Sequence, residues 1–251
     1  MTKTAFVAIV GKPNVGKSSL LNKMLGQKIA IVSSKPQTTR TKIMGVLTKG
    51  ETQLVFTDTP GFHKAHNKLG EKMNEAVGDT VGGVDACLFL TEPRGELNEQ
   101  ELQLLEMFKK QKMPVILAIN KIDMINDKEE LFKRIVYLTS FYDFTAVVPV
   151  SATEGDHVDE LIDELDKLAF ESPHFFPDDT LTDQPERVLA AEIIREKILR
   201  LMDKEIPHGI AVAVEKMRER DDKDILDIDA TSYCERESHK GMVIGKNGSI
   251  L

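Results

Sequence analysis

The chain has 251 residues, 41% of them apolar and 29% charged, the balance of a globular protein long enough to bury a core without staples. Its formal net charge of −8 excludes a globally basic surface for wrapping nucleic acid or coating an anionic membrane, and leaves room only for a local basic patch. Two distant cysteines, Cys87 and Cys234, argue against a disulfide framework or a cysteine zinc site and fit a reducing, cytoplasmic setting. The N-terminus, Met1 to Val10, has one charge and a short apolar run that ends in Gly11-Lys12, with no signal-peptide cleavage site, and reads as a first strand. Further apolar runs at Leu54–Thr57, Cys87–Leu90, Val115–Ile119 and Val147–Val150 join Phe6–Val10 as strands buried on both faces of a parallel sheet. None approaches the ~18 residues of a membrane helix. Ile43–Thr48 is placed as an antiparallel edge strand through the Lys49-Gly50 turn. Between the strands, helical spacing marks Ser18–Leu25, Asn98–Lys110, Asp127–Phe141 and Val158–Phe170. Strand and helix alternate, which predicts an α/β fold with right-handed crossovers.

Composition then shifts. The stretch from Ser172 to Pro185 holds three prolines and no helical period, and is read as an interdomain linker. Beyond it the pattern predicts a helix over Glu186–Lys204, then a β-hairpin from Ile210–Met217 and Ile225–Tyr233 around the charged turn Arg220–Asp224. The expected division is a nucleotide-handling domain over 1–172, a linker over 173–186 and a second, α+β domain over 187–251.

Directly after the first strand comes Gly11-Lys12-Pro13-Asn14-Val15-Gly16-Lys17-Ser18, which fits G-x-x-x-x-G-K-[ST] and opens a helix whose first turn also carries Ser19. The glycines let successive N–H groups converge on one anion, and the helix adds its positive end. Lys17 is suited to bridge β- and γ-phosphates, and the Ser18 hydroxyl to ligate magnesium. Base identity comes from Asn120-Lys121-Ile122-Asp123 at the exit of Val115–Ile119. One carboxylate, Asp123, can accept from both N1–H and N2–H₂ of guanine, and adenine would leave it underpaired. The Lys121 stem can cover the ring, and Asn120 can tie this loop to the phosphate loop. Asp58-Thr59-Pro60-Gly61 leaves the strand Leu54–Thr57. Asp58 can hold magnesium through water and the Gly61 N–H can reach a γ-phosphate, while the same four residues also make an ordinary turn. Ser151-Ala152 is the least specific piece, with the Ala152 N–H placed to read guanine O6.

These motifs, in this order and spacing, resemble those of the translation-factor-related GTPases of the P-loop class. Gln37-Thr38-Thr39-Arg40 is similar to the threonine-containing switch of the bacterial Era family. That resemblance makes Thr39 the residue that closes on magnesium beside Ser18 and Asp58, with Thr38 the neighbouring candidate, and gives Lys17, Thr39 and Gly61 the work on the transferred phosphate. Phe62 stands where Ras-like enzymes carry a water-positioning glutamine. A phenyl ring cannot orient water, so slow intrinsic hydrolysis is expected, and His63 one position on reads as a solvated loop histidine. The resemblance also implies potassium, aided by Asn14, in place of an arginine finger.

Near the end, Gly245-Lys246-Asn247-Gly248 follows Met242-Val-Ile244 and forms a GxxG loop. Helix, strand, strand, helix and GxxG is the order of a bacterial-type KH module, in which Lys240 and the loop residues Gly245, Lys246, Asn247 and Gly248 contact RNA phosphates. From Asp178 onward, 12 basic residues face 17 acidic ones, and only Arg236–Lys246 is locally basic. A KH module needs a further helix after GxxG, and another helix and strand, so the RNA-binding domain is expected to be incomplete. The resemblance implies a GTP-hydrolysing switch, with partners GTP or GDP, small-subunit ribosomal RNA and the small subunit during its assembly, and peripheral contact with the cytoplasmic membrane. The alternative is a guanine-nucleotide-regulated binding switch whose hydrolysis is incidental.

Overall fold

The computed structural model describes residues 1–33, 38–39, 42–59, 79–201, 210–221 and 223–245. Gln37, Arg40, Pro60, Gly61, Phe62, His63, Lys246, Asn247 and Gly248 lie outside the described residues. The chain divides into two units, Met1–Ile29 with Thr39–Asp183, and Ala30–Thr38 with Gln184–Leu251.

In the first unit the elements run β1 (Lys3–Gly11), α1 (Lys17–Leu25), β2 (Ile43–Lys49), β3 (Thr52–Asp58), β4 (Ala86–Thr91), α2 (Glu99–Gln111), β5 (Val115–Asn120), α3 (Lys128–Thr139), β6 (Ala146–Val150), α4 (Val158–Asp166) and β7 (Phe170–Glu171). The sheet order is β2-β3-β1-β4-β5-β6, with β7 also pairing β1. β1 runs parallel to β3 on one side and β4 on the other, and β4, β5 and β6 continue the parallel ladder. β2 is antiparallel to β3, as its place at the edge predicts. Every residue of β3, β4 and β5 is buried, which is why these strands read as continuous apolar runs and not as alternation. On one face the core packs Phe89, Phe108, Leu104, Leu117 and Leu138; each such side chain contributes about 1.5–3 kcal/mol by leaving water. Because the chain passes from β1 to β3 on one side and then to β4 on the other, the switch point of the sheet lies at the C-terminal end of β1, where α/β sheets bind ligands.

Helix starts follow local chemistry. Asn98 caps α2 and forms a capping box with Glu101, and Asp127 caps α3 through the Glu129 N–H. The helix expected over Val158–Phe170 is shorter: α4 ends at Asp166, and Phe170 leaves to pair with Thr4 as β7. Leu168 and Ala169 close the helix with bonds to Leu165 and Asp166 three residues back, tightening its end.

The proline-rich stretch read as a linker is bound to the first unit over its first ten residues. Thr4 donates to the Pro173 carbonyl at 3.0 Å, and the ring of Phe175 meets Phe6 edge-on. The buried Gln53 amide accepts from the N–H groups of Phe175 and Phe176 at 2.9 and 3.0 Å and donates to the Phe176 carbonyl. Thr182 then bonds β2 at Met44 and Gly45.

The second unit holds α5 (Glu186–Leu201), β8 (Ile210–Arg220), β9 (Lys223–Cys234) and α6 (Glu237–Ile244), with β8 and β9 forming an antiparallel hairpin. Ile198, Ile210 and Val243 form its core. Ala30–Thr38 belongs to this unit through α5. The fully buried Glu196 carboxylate accepts from the Val32 N–H at 3.1 Å, Arg200 donates to the Val32 carbonyl, and the buried Arg195 donates to the Thr38 carbonyl while paired with Glu192.

Candidate functional site

The phosphate loop, Asp58-Thr59, Asn120–Asp123 and Ser151-Ala152 all leave the C-terminal ends of parallel strands. Gly11 to Ser18 links β1 to α1. Gly16, with φ 103°, occupies the cap of α1, and no side chain caps that helix start, so its first N–H groups are left for an anion. A Cβ at Gly16 would lie 2.2 Å from Nδ2 of Asn120, and one at Gly11 would lie 2.4 Å from the Leu90 carbonyl oxygen. Lys17 is buried and its ammonium donates to the carbonyls of Gly11 at 3.1 Å and Lys12 at 3.0 Å. Val15 is buried, while Asn14 is exposed with φ 61°, and Pro13 and Ser19 are half-buried.

Asp58 ends β3 with its side chain fully buried. Its Oδ2 accepts from the Ser18 hydroxyl at 2.6 Å, and the Ser18 Oγ lies 3.0 Å from Oγ1 of Thr39. Three oxygens expected around one magnesium ion therefore meet in the structure, and of the two adjacent threonines it is Thr39 whose hydroxyl joins them. Burial pushes the Asp58 carboxyl up to about 6, against the pull of Lys17 and the Ser18 bond. Burial likewise brings the Lys17 ammonium down to about 8, although Asp58 and Glu101 oppose it. Oδ1 of Asp58 is buried with no hydrogen-bond partner. A buried orphan carboxylate oxygen beside two hydroxyls suits a hard cation. No cluster of three acidic, histidine or cysteine side chains occurs among the described residues, so a cation here would complete its shell from phosphate oxygens and water. Thr59, next in the chain, is buried and donates to the Ile9 carbonyl at 2.8 Å.

The base loop follows β5. Asn120 is buried; its Nδ2 donates to the Val15 carbonyl at 2.8 Å and its Oδ1 accepts from the Ala152 N–H at 3.0 Å. One amide thus fixes the phosphate loop and the loop after β6 to the end of β5. Lys121 takes a left-handed conformation, φ 68°, and opens a 3₁₀ turn over Ile122–Met124 that carries Asp123 within it. Its ammonium donates to the Asn14 carbonyl at 2.9 Å, laying the stem across the gap between the loops. The Ser151 hydroxyl donates to Asp123 Oδ1 at 2.6 Å, leaving Oδ2 for another donor pair. Ser151 is buried after β6, and its place in the motif, weak as sequence, comes from this contact.

Two side chains stand at the site without a motif to mark them. Glu92, the first residue after β4, ion-pairs with both Lys12 and Lys121. Arg134 of α3 donates to the Glu92 carbonyl at 3.0 Å and to the Gly95 carbonyl, with its guanidinium over the Tyr137 ring. The one available signal for Glu92 was positional, since every other motif also begins where a central strand ends. In the second unit, Gly245 caps α6 with φ 72°, and Lys240 lies on that helix, exposed.

Comparison with known proteins agrees with this geometry. Residues 6–121 match a family described as 50S ribosome-binding GTPase, and residues 205–251 match the KH domain. GTPase Era of Clostridioides difficile (strain 630) is 50% identical over 251 residues, covering 100% of this chain and 84% of that relative. GTPase Era of Thermoanaerobacter sp. (strain X514) is 49% identical, covering 99% and 82%. Among solved structures, a variant of Aquifex aeolicus Era bound to GDP.AlF4⁻ superposes with a TM-score of 0.93 at 38% identity, over 100% of this chain and 85% of that one. Era in complex with MgGDPNP and nucleotides 1506–1542 of 16S ribosomal RNA gives the same values. With a phosphate loop, a switch-threonine cluster, a guanine-type base loop and a KH-type hairpin in one chain, the chain belongs to the Era family of GTPases.

Proposed function

We propose that the chain binds GTP with magnesium, hydrolyses it slowly to GDP and phosphate, and binds small-subunit ribosomal RNA through its KH-type unit during assembly of that subunit. The observation that carries the nucleotide half is the frame Val15–Asn120–Ala152, which holds the phosphate loop and the base loop in fixed register with Ser151 orienting Asp123. Asp123 would take N1–H and N2–H₂ of guanine and the Lys121 stem would cover the ring, whereas the Ala152 N–H, expected from the sequence to read guanine O6, is engaged by Asn120 Oδ1 in this structure.

Lys17, freed from the Gly11 and Lys12 carbonyls, would donate to β- and γ-phosphate oxygens, joined by the first N–H groups of α1. Ser18, Thr39 and Asp58 would hold magnesium, whose charge draws electron density from the phosphate oxygens. Gly61 would meet the γ-phosphate, and Phe62 leaves the attacking water without a side-chain orienter, which keeps the intrinsic rate low. Asn14 would help to hold potassium, whose charge would stand in for an arginine finger. The RNA half is supported by the KH match and by the relative solved with 16S ribosomal RNA; Lys240, Gly245, Lys246, Asn247 and Gly248 would carry the contact. A cytoplasmic location is supported by the two distant cysteines, and peripheral contact at the inner face of the membrane by the family resemblance.

Asp123→Asn tests the base reading. The variant should lose guanine-nucleotide affinity and gain xanthine-nucleotide affinity, because an amide pairs with a carbonyl at position 2. Unchanged guanine preference overturns the assignment. Turnover at equal ionic strength in potassium and sodium tests the cation, and equal rates remove it.

A further inference from the structure

Glu92 belongs to none of the motifs, yet its carboxylate touches two of them. Oε1 accepts from the Lys121 ammonium at 2.6 Å, and Oε2 pairs with the Lys12 ammonium. Lys12 is the second residue of the phosphate loop, and Lys121 is the residue whose stem spans toward Asn14. Each side chain at this junction is about 30% exposed, wet enough to form reversibly and sheltered enough to count. The carboxylate is itself aimed from a rigid base. Glu92 follows the fully buried strand β4, and its carbonyl is held by Arg134, which is 8% exposed and also bound to the Gly95 carbonyl.

We propose that Glu92 is a positioning residue for guanine-nucleotide binding, tying Lys12 of the phosphate loop to Lys121 of the base loop so that both stand at binding separation before nucleotide arrives. This rests on the reading of these loops as a guanine-nucleotide site. The Asn120 frame fixes the backbones of the two loops from below. The Glu92 bridge fixes the tips of their two long side chains, which would otherwise sample many rotamers and lose that freedom on binding. Partial burial works to raise the Glu92 carboxyl, but the bonds from Lys12 and Lys121 hold it below the ordinary carboxylate value, so the bridge stays ionised at neutral pH.

The bridge acts on occupancy and not on phosphate transfer, since Glu92 contacts neither the Ser18–Thr39–Asp58 cluster nor Lys17 among the described contacts. The test is the release rate of a fluorescent GDP from the full chain, measured at low and at high ionic strength. Glu92→Gln should release GDP about tenfold faster at low salt, as expected for losing two partly sheltered ion pairs. At about 1 M salt the difference should shrink to within about twofold, because screening weakens the pairs in the parent protein. Single-turnover hydrolysis of prebound GTP should stay within about twofold of the parent rate. Glu92→Asp, one methylene shorter and able to reach one lysine at a time, should fall between the two, and it carries the test if the glutamine variant folds poorly. Release at the parent rate in Glu92→Gln, or the same salt dependence in both proteins, overturns the proposal. Asp123→Asn in the same assay separates the two readings: a normal loss of guanine preference there, with no effect at Glu92, leaves the site intact and removes only the bridge.

Discussion

Asn120→Ala attacks the frame that holds the site in register. The side chain is 2% exposed and makes two bonds, from Nδ2 to the Val15 carbonyl at 2.8 Å and from the Ala152 N–H to Oδ1 at 3.0 Å. Alanine would leave a carbonyl and an N–H group buried without partners, and each such orphan costs about 1–3 kcal/mol. Taking the lower half of that range for both, because a water can enter the space left by the amide, gives a loss of about 2–4 kcal/mol. That is a large share of the ~5–15 kcal/mol that stabilises a domain. The loss should appear in urea unfolding of the nucleotide-free protein as a lower midpoint with an unchanged slope. GDP affinity should fall as well, by about tenfold to a hundredfold, because nucleotide must now reassemble the two loops as it binds. Asn120→Asp refines the test. It keeps an acceptor for the Ala152 N–H but turns a carboxylate oxygen toward the Val15 carbonyl, so it should damage the phosphate-loop side more than the Ala152 side. A stability loss under about 0.5 kcal/mol for the alanine variant, with GDP affinity within about twofold, would refute the view of Asn120 as the tie between the loops.

Other consequences are equally direct. Because the Asp58 carboxyl titrates near 6 in the folded protein, above its ordinary value, it gains a proton as pH falls through 6 and must release it to bind a cation. Magnesium-dependent GTP affinity should therefore be nearly flat above pH 7 and drop about tenfold per unit below pH 6, and Asp58→Asn should abolish that dependence. Gly16→Ala places a Cβ 2.2 Å from Nδ2 of Asn120 at φ 103°, and should lower GDP affinity by more than about tenfold in equilibrium titration. Ser151→Ala removes the 2.6 Å bond to Asp123 and should weaken GTP and GDP binding alike by about threefold to tenfold in equilibrium titration, with a smaller loss for ITP, which keeps N1–H but lacks the 2-amino donor. Lys17→Ala should lose nucleotide binding altogether, and tight GTP binding by that variant would show the phosphate site to be misplaced.

How much of this was legible in the sequence depended on the range of the contacts involved. β3, β4 and β5 announced themselves because burial on both faces demands unbroken apolar runs, and the motifs at their ends were legible because phosphate and guanine chemistry fix residue types at fixed spacing. β7 was not, since two exposed residues, Phe170 and Glu171, pair through backbone alone and leave no pattern. The binding of Phe175 and Phe176 to Gln53 was invisible for a different reason. A buried glutamine within β3 looks like an error in an apolar strand until the backbone it satisfies, over 120 residues away, is in place. Glu92 is one acidic residue after a strand, and apart from that position nothing distinguishes it from a solvated one. Thr38 and Thr39 were equivalent by sequence and are separated only by what each touches, the Arg195 guanidinium for one carbonyl and the Ser18 hydroxyl for the other side chain.

The membership of Ala30–Thr38 in the second unit bears on any attempt to take the protein apart. A cut between Asp183 and Gln184 looks like the natural place to separate an RNA-binding fragment, yet such a fragment would carry Arg195 and Glu196 without the Thr38 carbonyl and the Val32 N–H that they bind. Both side chains are at most 2% exposed; Arg195 would keep Glu192 and Glu196 would keep Arg200 along the helix, but each would lose a backbone partner and the cover over a buried ion pair, which destabilises a small domain. The complementary fragment would keep Val32 and Thr38 and lose the helix that binds them. A chimaera that exchanges the RNA-binding half between relatives should therefore transplant two segments, 30–38 and 184 onward, since a single crossover point pairs a helix with a loop from the wrong parent.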